Sequence, residues 1–151
     1  MGRKAGARAL GKIVSPPPTL ARKLGITPET RVHMSGVVDD DALRAALENA
    51  ADVRVPPAKA DLAIVRADHS TPLLHWLQAR APGKPIPPIW IVYIKGRDSP
   101  FGESAVRHMM RSLGYIDTKI ASVSDRLTAL RFIKRREPPQ AAQASRRRGA
   151  D

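Results

Sequence analysis

"GYIDTKIASVSDRLTALRFIKRRE" (residues 114–137) decides the fold. "DTKIASVS" (117–124) and "LTALRFIK" (127–134) are two runs of β-forming residues joined by a tight "SDR" turn. No helix fits between them. They must therefore pair antiparallel, as a hairpin on the edge of a sheet. What precedes them has the opposite habit, with strands separated by helices. "IWIVYI" (89–94) is β-branched or aromatic at every position, and "DLAIVRA" (61–67) is an apolar run suited to a strand covered on both faces. "RVHMSGVV" (31–38) is a first strand, and "ADVRV" (51–55) is a short one stopped by Pro56 and Pro57.

Between these lie helices. In 39–50, Leu43, Ala46, Leu47 and Ala50 form one buried stripe, with Asp39 or Asp40 as cap. Ser70 or Thr71 caps a second helix with Pro72 in its first turn, and Ser99 a third with Pro100 likewise. Val106, Met109, Met110 and Leu113 share its inner face, and the methionines are core filler. "LARKLGI" (20–26) reads as a short helix ended by Gly25. The expected fold is α/β: a small Rossmann-like three-layer sandwich, its sheet mostly parallel and finished by a C-terminal antiparallel hairpin.

One domain suits 151 residues. It is expected over 20–136, between disordered basic tails at 1–19, which contains "SPPPT", and 137–151. The net charge of +12 is uneven: residues 1–23 hold six bases and no acid, residues 134–151 six bases and two acids, and the middle is almost neutral. Tails of this kind attach weakly and salt-sensitively to polyanions. Arg3, Lys4, Arg8, Lys12, Arg146, Arg147 and Arg148 are the candidate contacts for RNA or DNA. The absence of cysteine excludes disulfides, thiolate metal sites and cysteine nucleophiles. The apolar runs are too short to span a bilayer, and the N-terminal charges precede no apolar run of signal-peptide length.

A parallel α/β sheet closed by an antiparallel edge is similar to the class I methyltransferase arrangement, a likeness of architecture only. At the level of motifs, "LARKLGITPETRV", "IWIVYIKG" and "GYIDTKIASVSDRLTALRFIKR", in that order across residues 20–136, resemble the small bacterial family known as domain of unknown function 3052. Ile94 stands where that pattern has a proline before the lysine. The resemblance implies a Rossmann-like fold in a bacterial cytoplasmic protein and implies no known activity.

In a doubly wound sheet, ligands sit beyond the carboxyl ends of the strands, where strand order reverses. That points to loops 35–39, 66–70 and 95–99. "SGVVD" offers only Gly36 where a nucleotide needs a glycine-rich turn, and Asp39, Asp40 and Asp41 occupy the helix start that would hold a phosphate. The strand ending "RVPP" lacks the acid that would hold a ribose. S-adenosylmethionine, which carries no phosphate, meets a weaker objection, and Gly36, Asp68 and Lys95 are its candidate contacts. Asp68 and His69 form the one adjacent acid–imidazole pair, as plausible in a turn or cap as in catalysis. Lys95 and Arg97, flanking Gly96, could hold an anion. His33, His69, His75 and His108 lack the spacing of a helical zinc pair, and no serine lies in a nucleophile elbow. Trp76, Trp90, Tyr93 and Phe132 are expected in the core, leaving Phe101 and Tyr115 as surface aromatics. No catalytic residue, cofactor or metal ligand is therefore assigned. The reading is a non-catalytic binding or regulatory module. The alternatives are a reduced S-adenosylmethionine-dependent methyltransferase-like enzyme and a tail-driven, non-specific RNA or DNA binder.

Overall fold

The computed structural model describes residues 19–80 and 83–135; the basic segments expected at both ends lie outside this range, save Thr19. The elements in order are α1 (Leu20–Leu24), β1 (Val32–Ser35), α2 (Asp41–Leu47), β2 (Leu62–Arg66), α3 (Ser70–Gln78), β3 (Ile89–Ile94), α4 (Glu103–Ser112), β4 (Tyr115–Ser122) and β5 (Leu127–Lys134), with a short 3₁₀ turn at Pro57–Lys59. The sheet runs β1-β2-β3-β5-β4. The first three strands are parallel, and β5 pairs antiparallel with both β3 and β4. This is the Rossmann-like α/β architecture that the alternation of strands and helices implies.

Helices cover both faces. One layer packs α1 and α2 through Leu24, Leu43 and Leu47 onto Val32, Ile64, Trp90 and Val92. The other packs α3 and α4 through Leu73, Trp76, Val106 and Met110 onto Val65, Ile91 and Phe132. Every residue of β2 is buried, as double coverage requires. Two indoles tie helical layers to the sheet by hydrogen bonds. Trp90 Nε1 donates to the Leu24 carbonyl (2.9 Å), and Trp76 Nε1 donates to His33 Nε2 (2.9 Å). A buried indole N–H without an acceptor would be costly.

The helix starts and two aromatic positions differ from expectation, while the hairpin closes one edge of the sheet as expected: β5 pairs with β3, and β4 is outermost. The cause is composition, since β5 buries Leu127, Ala129, Leu130 and Phe132 across both faces while β4 exposes Thr118, Lys119 and Ile120. A register shift between Asp117 and Lys119 bends that edge, which discourages pairing with another strand. Helix α3 is preceded by His69, which makes no side-chain cap bond. Helix α4 starts at Glu103 after Gly102, and the Ser99 hydroxyl instead accepts from the Phe101 amide. Finally, Phe101 and Tyr115 are 4% and 3% exposed, so they are core residues.

The segment 51–55 does not form a strand of the sheet, yet it follows β1 closely. Val32 N donates to Asp52 O (2.8 Å), Met34 N to Val53 O (3.2 Å), and Ala51 N to Thr30 O (2.9 Å). In a parallel ladder alternate residues bond to opposite sides. Val32 and Met34 face 51–55, whereas the Arg31 carbonyl accepts from Asp61 N on the β2 side (2.8 Å). The chain thus leaves β1 one way through α2 and returns on the other side as β2. Strand order reverses at β1, which puts the crevice of a doubly wound fold beside Ser35–Gly36 and Arg66–Asp68.

Candidate functional site

That crevice is occupied by the protein itself. Arg66, the last residue of β2, has a side chain only 3% exposed. Its Nη1 donates to Asp39 Oδ1 (2.7 Å) and its Nε to Asp68 Oδ1 (2.7 Å). A buried guanidinium needs such partners, because desolvating an unpaired cation costs several kcal/mol. Burial alone would lower the Arg66 pKa; the bonds to both carboxylates outweigh it and hold the group firmly cationic. In turn the Arg66 hydrogen bond holds the Asp39 carboxyl below its ordinary value.

Gly36 serves the same arrangement. Its φ is +98°, and a Cβ built there would lie 2.8 Å from Arg66 Cβ and 3.1 Å from the Arg66 carbonyl oxygen. The close approach that a dinucleotide fold reserves for a ligand is here an approach to Arg66. The three acids after β1 are likewise committed. Asp40 caps α2, accepting from Leu43 N (3.1 Å) and from the Ser124 hydroxyl (2.6 Å). Burial pushes its pKa upward, but these bonds hold it below the usual carboxylate value. Asp41 pairs with Arg44 (2.8 Å).

The hairpin turn closes the rim. Ser124 reaches Asp40, and Arg126 approaches Asp39 at 3.8 Å. Lys95 N donates to the Arg126 carbonyl (2.8 Å) and Lys95 Nζ to the Ser122 hydroxyl (2.8 Å). Of the candidate contacts, then, Gly36 and Asp68 meet through Arg66, while Lys95 belongs to the hairpin side. Arg97 lies exposed in the loop beyond it. His69 is exposed at the start of α3, and no hydrogen bond joins it to Asp68 among the described residues.

Arg66 is the residue that sequence reading passed over. The signal was available: an arginine at the end of an otherwise apolar strand, two residues before one acid and downstream of three others, must find counter-charges if the strand is covered on both faces.

Open space lies at the opposite, amino edge of the sheet. A cleft of about 340 Å³ is lined by Arg22, Lys23, Trp90, Asp61, Lys119 and Arg131, among others. A second, of about 410 Å³, lies between α3, the loop before β3 and the start of β4, with Arg80, Lys84 and Lys134 at its rim and Leu77 and Ile86 in its wall.

No protein-family model matches the chain, and no curated protein matches it in sequence. Among solved structures it is similar to the 23S rRNA methyltransferase ErmE, with a TM-score of 0.42 and 10% identity over 78% of this chain and 66% of that one. It is also similar to ribosomal protein L11 methylase from Lactobacillus delbrueckii subsp. bulgaricus, with a TM-score of 0.42 and 12% identity over 77% of this chain and 75% of that one. The chain thus spans just under two thirds of the length of ErmE. Likenesses of this size say nothing of chemistry.

Proposed function

We propose that this protein is a non-catalytic binding or regulatory module, built on a Rossmann-like sheet whose cofactor crevice is filled by its own ion pairs. One observation carries the reading: the buried Arg66 guanidinium, clasped by Asp39 and Asp68, stands at the strand-order reversal. A cofactor entering there would have to displace both carboxylates from a cation that is almost fully buried. The kinship with domain of unknown function 3052 belongs to the same proposal and implies no activity. Calorimetry with S-adenosylmethionine, NAD and ATP, together with a radiolabelled methyl-transfer assay, tests it. The expected result is no saturable heat with any of the three at millimolar ligand and no methyl transfer. Saturable binding that is lost on Gly36→Val would establish the S-adenosylmethionine-dependent alternative at Gly36, Asp68 and Lys95.

A further inference from the structure

We propose that the amino edge of the sheet is an interface for the phosphodiester backbone of a nucleic acid, gripped by charge without reading bases. The inference rests on the binding-module reading and names the partner.

The placement of unpaired charge leads to it. Arg22, Lys23, Lys119 and Arg131 line one cleft, and no salt bridge joins any of them to a carboxylate among the described residues. The same lining holds two acids: Asp61 accepts from the Arg31 amide and guanidinium, while Glu29 accepts from the Thr27 hydroxyl and keeps its charge, so four cations there face two carboxylates. The second cleft has no carboxylate in its lining. Its Arg80 stacks over the Trp76 ring at 4.2 Å, with Nε spent on the Trp76 carbonyl. Its Lys134 donates to the Leu113 carbonyl. The two clefts flank the sheet on the side from which the chain continues. Arg135 N bonds to Gly114 O (2.6 Å), and the sequence beyond it holds four bases and two acids; the sequence before Thr19 holds four bases and no acid.

A single small anion would use one cleft and leave the other cations unmatched, whereas an extended polyanion can engage both. Base recognition is a different matter. All six Phe, Tyr and Trp residues are under 9% exposed, so none of these rings offers a base a stacking platform. What remains is phosphate contact by Lys and Arg, which positions a strand and carries no sequence information.

The test is fluorescence anisotropy of the full-length protein with a labelled single-stranded RNA and, separately, a DNA duplex of mixed sequence, titrated across a range of salt. The variant replaces Arg22, Lys23, Lys119 and Arg131 by Gln together. Losing four phosphate contacts should flatten the log–log salt slope by about 3 for a single strand and slightly more for a duplex. The weakening should be equal for unrelated sequences. Because Arg131 is half-buried, a Lys23→Gln/Lys119→Gln pair serves as a milder variant, and about half that change is expected. Three results would overturn the proposal. They are no binding by the full chain at low salt, an unchanged slope in both variants (binding by the terminal segments alone), and preference for anionic phospholipid vesicles over RNA at equal phosphate. None of these bears on whether the crevice at Arg66 accepts a cofactor, so the two readings fail separately.

Discussion

Replacing both Asp39 and Asp68 by Asn asks whether the carboxylates at the strand-order reversal exist for Arg66 or for an absent ligand. The double change strands a guanidinium whose side chain is 3% exposed. Breaking a buried pair by removing one sign of charge costs about 3–5 kcal/mol. The lower end applies, because the asparagine carbonyls can still accept from the guanidinium and the loops around it are partly open to water. At roughly 4 °C per kcal/mol for a domain of this size, about 3 kcal/mol lowers the melting temperature by about 12 °C. The converse change, Arg66→Met, should do less. It leaves carboxylates that are 45% and 36% exposed and can hydrate, and methionine fills the apolar part of the space. Its expected shift is about a third as large. The assay is thermal denaturation followed by circular dichroism at pH 7, with the two variants beside the parent. Residues kept for ligand chemistry usually cost stability, so their removal raises the melting temperature. A double Asn variant that melts at or above the parent would therefore refute the plug and point to a ligand site.

Gly36→Ala should destabilise by about 2 kcal/mol, since the new Cβ meets Arg66 at a φ that L-residues rarely adopt; chemical denaturation checks it, and an unchanged midpoint would mean that the loop is free to move. His33 is held below its ordinary pKa of 6.5 by burial, against the Val55 hydrogen bond that raises it, with Arg80 lowering it further. Its contribution is thus complete above pH 6.5 and is lost as pH falls below that value, when protonation removes the acceptor for Trp76 Nε1. The melting temperature should drop from pH 7 to 5, and His33→Gln should remove that step. Trp90→Phe leaves the Leu24 carbonyl without its donor and opens a cavity; a loss of about 2–3 kcal/mol is expected in urea titration, with α1 the first segment to exchange its amide protons.

Much of the architecture was legible because its signals are local. Strand β3 is apolar throughout, the stripe Leu43, Ala46, Leu47 declares α2, and the short turn at 124–126 admits nothing but a hairpin. What could not be read locally was competition. Gly102 and Ser99 both suit a helix start, and the choice fell to the one whose position lets Phe101 enter the core. Arg131 and Lys134 are unusual on a strand flanked on both sides, since β5 lies between β3 and β4. In the fold Arg131 sends its guanidinium past the bulge to Thr118 Oγ1 (3.0 Å), so a basic residue sits on an interior strand without burying its charge. The site was half legible. The missing glycine turn and the excess of acids were visible, but their explanation required knowing that Arg66 lies between them.

The crowding of unpaired cations differs between the two edges of the sheet. Helices α2, α3 and α4 each follow a parallel strand and run back toward its start, so their negative ends lie at the amino edge. Cations near helix C-termini are favourable in themselves. That accounts for Arg22 and Lys23 in the last turn of α1, and for Arg80 just past the end of α3. It does not account for Lys84, Lys119, Arg131 and Lys134, which lie on a loop and on strands β4 and β5. At the carboxyl edge the same dipole logic runs to completion: Asp40 and Asp41 begin α2, Glu103 begins α4, and Arg44 and Arg107 answer two of these acids. Cations that no salt bridge joins to a carboxylate among the described residues occur at both edges, Lys95 and Arg97 at the carboxyl one, but Arg22, Lys23, Lys119 and Arg131 converge on a single cleft. That convergence is what favours the amino edge as the place for a polyanionic partner.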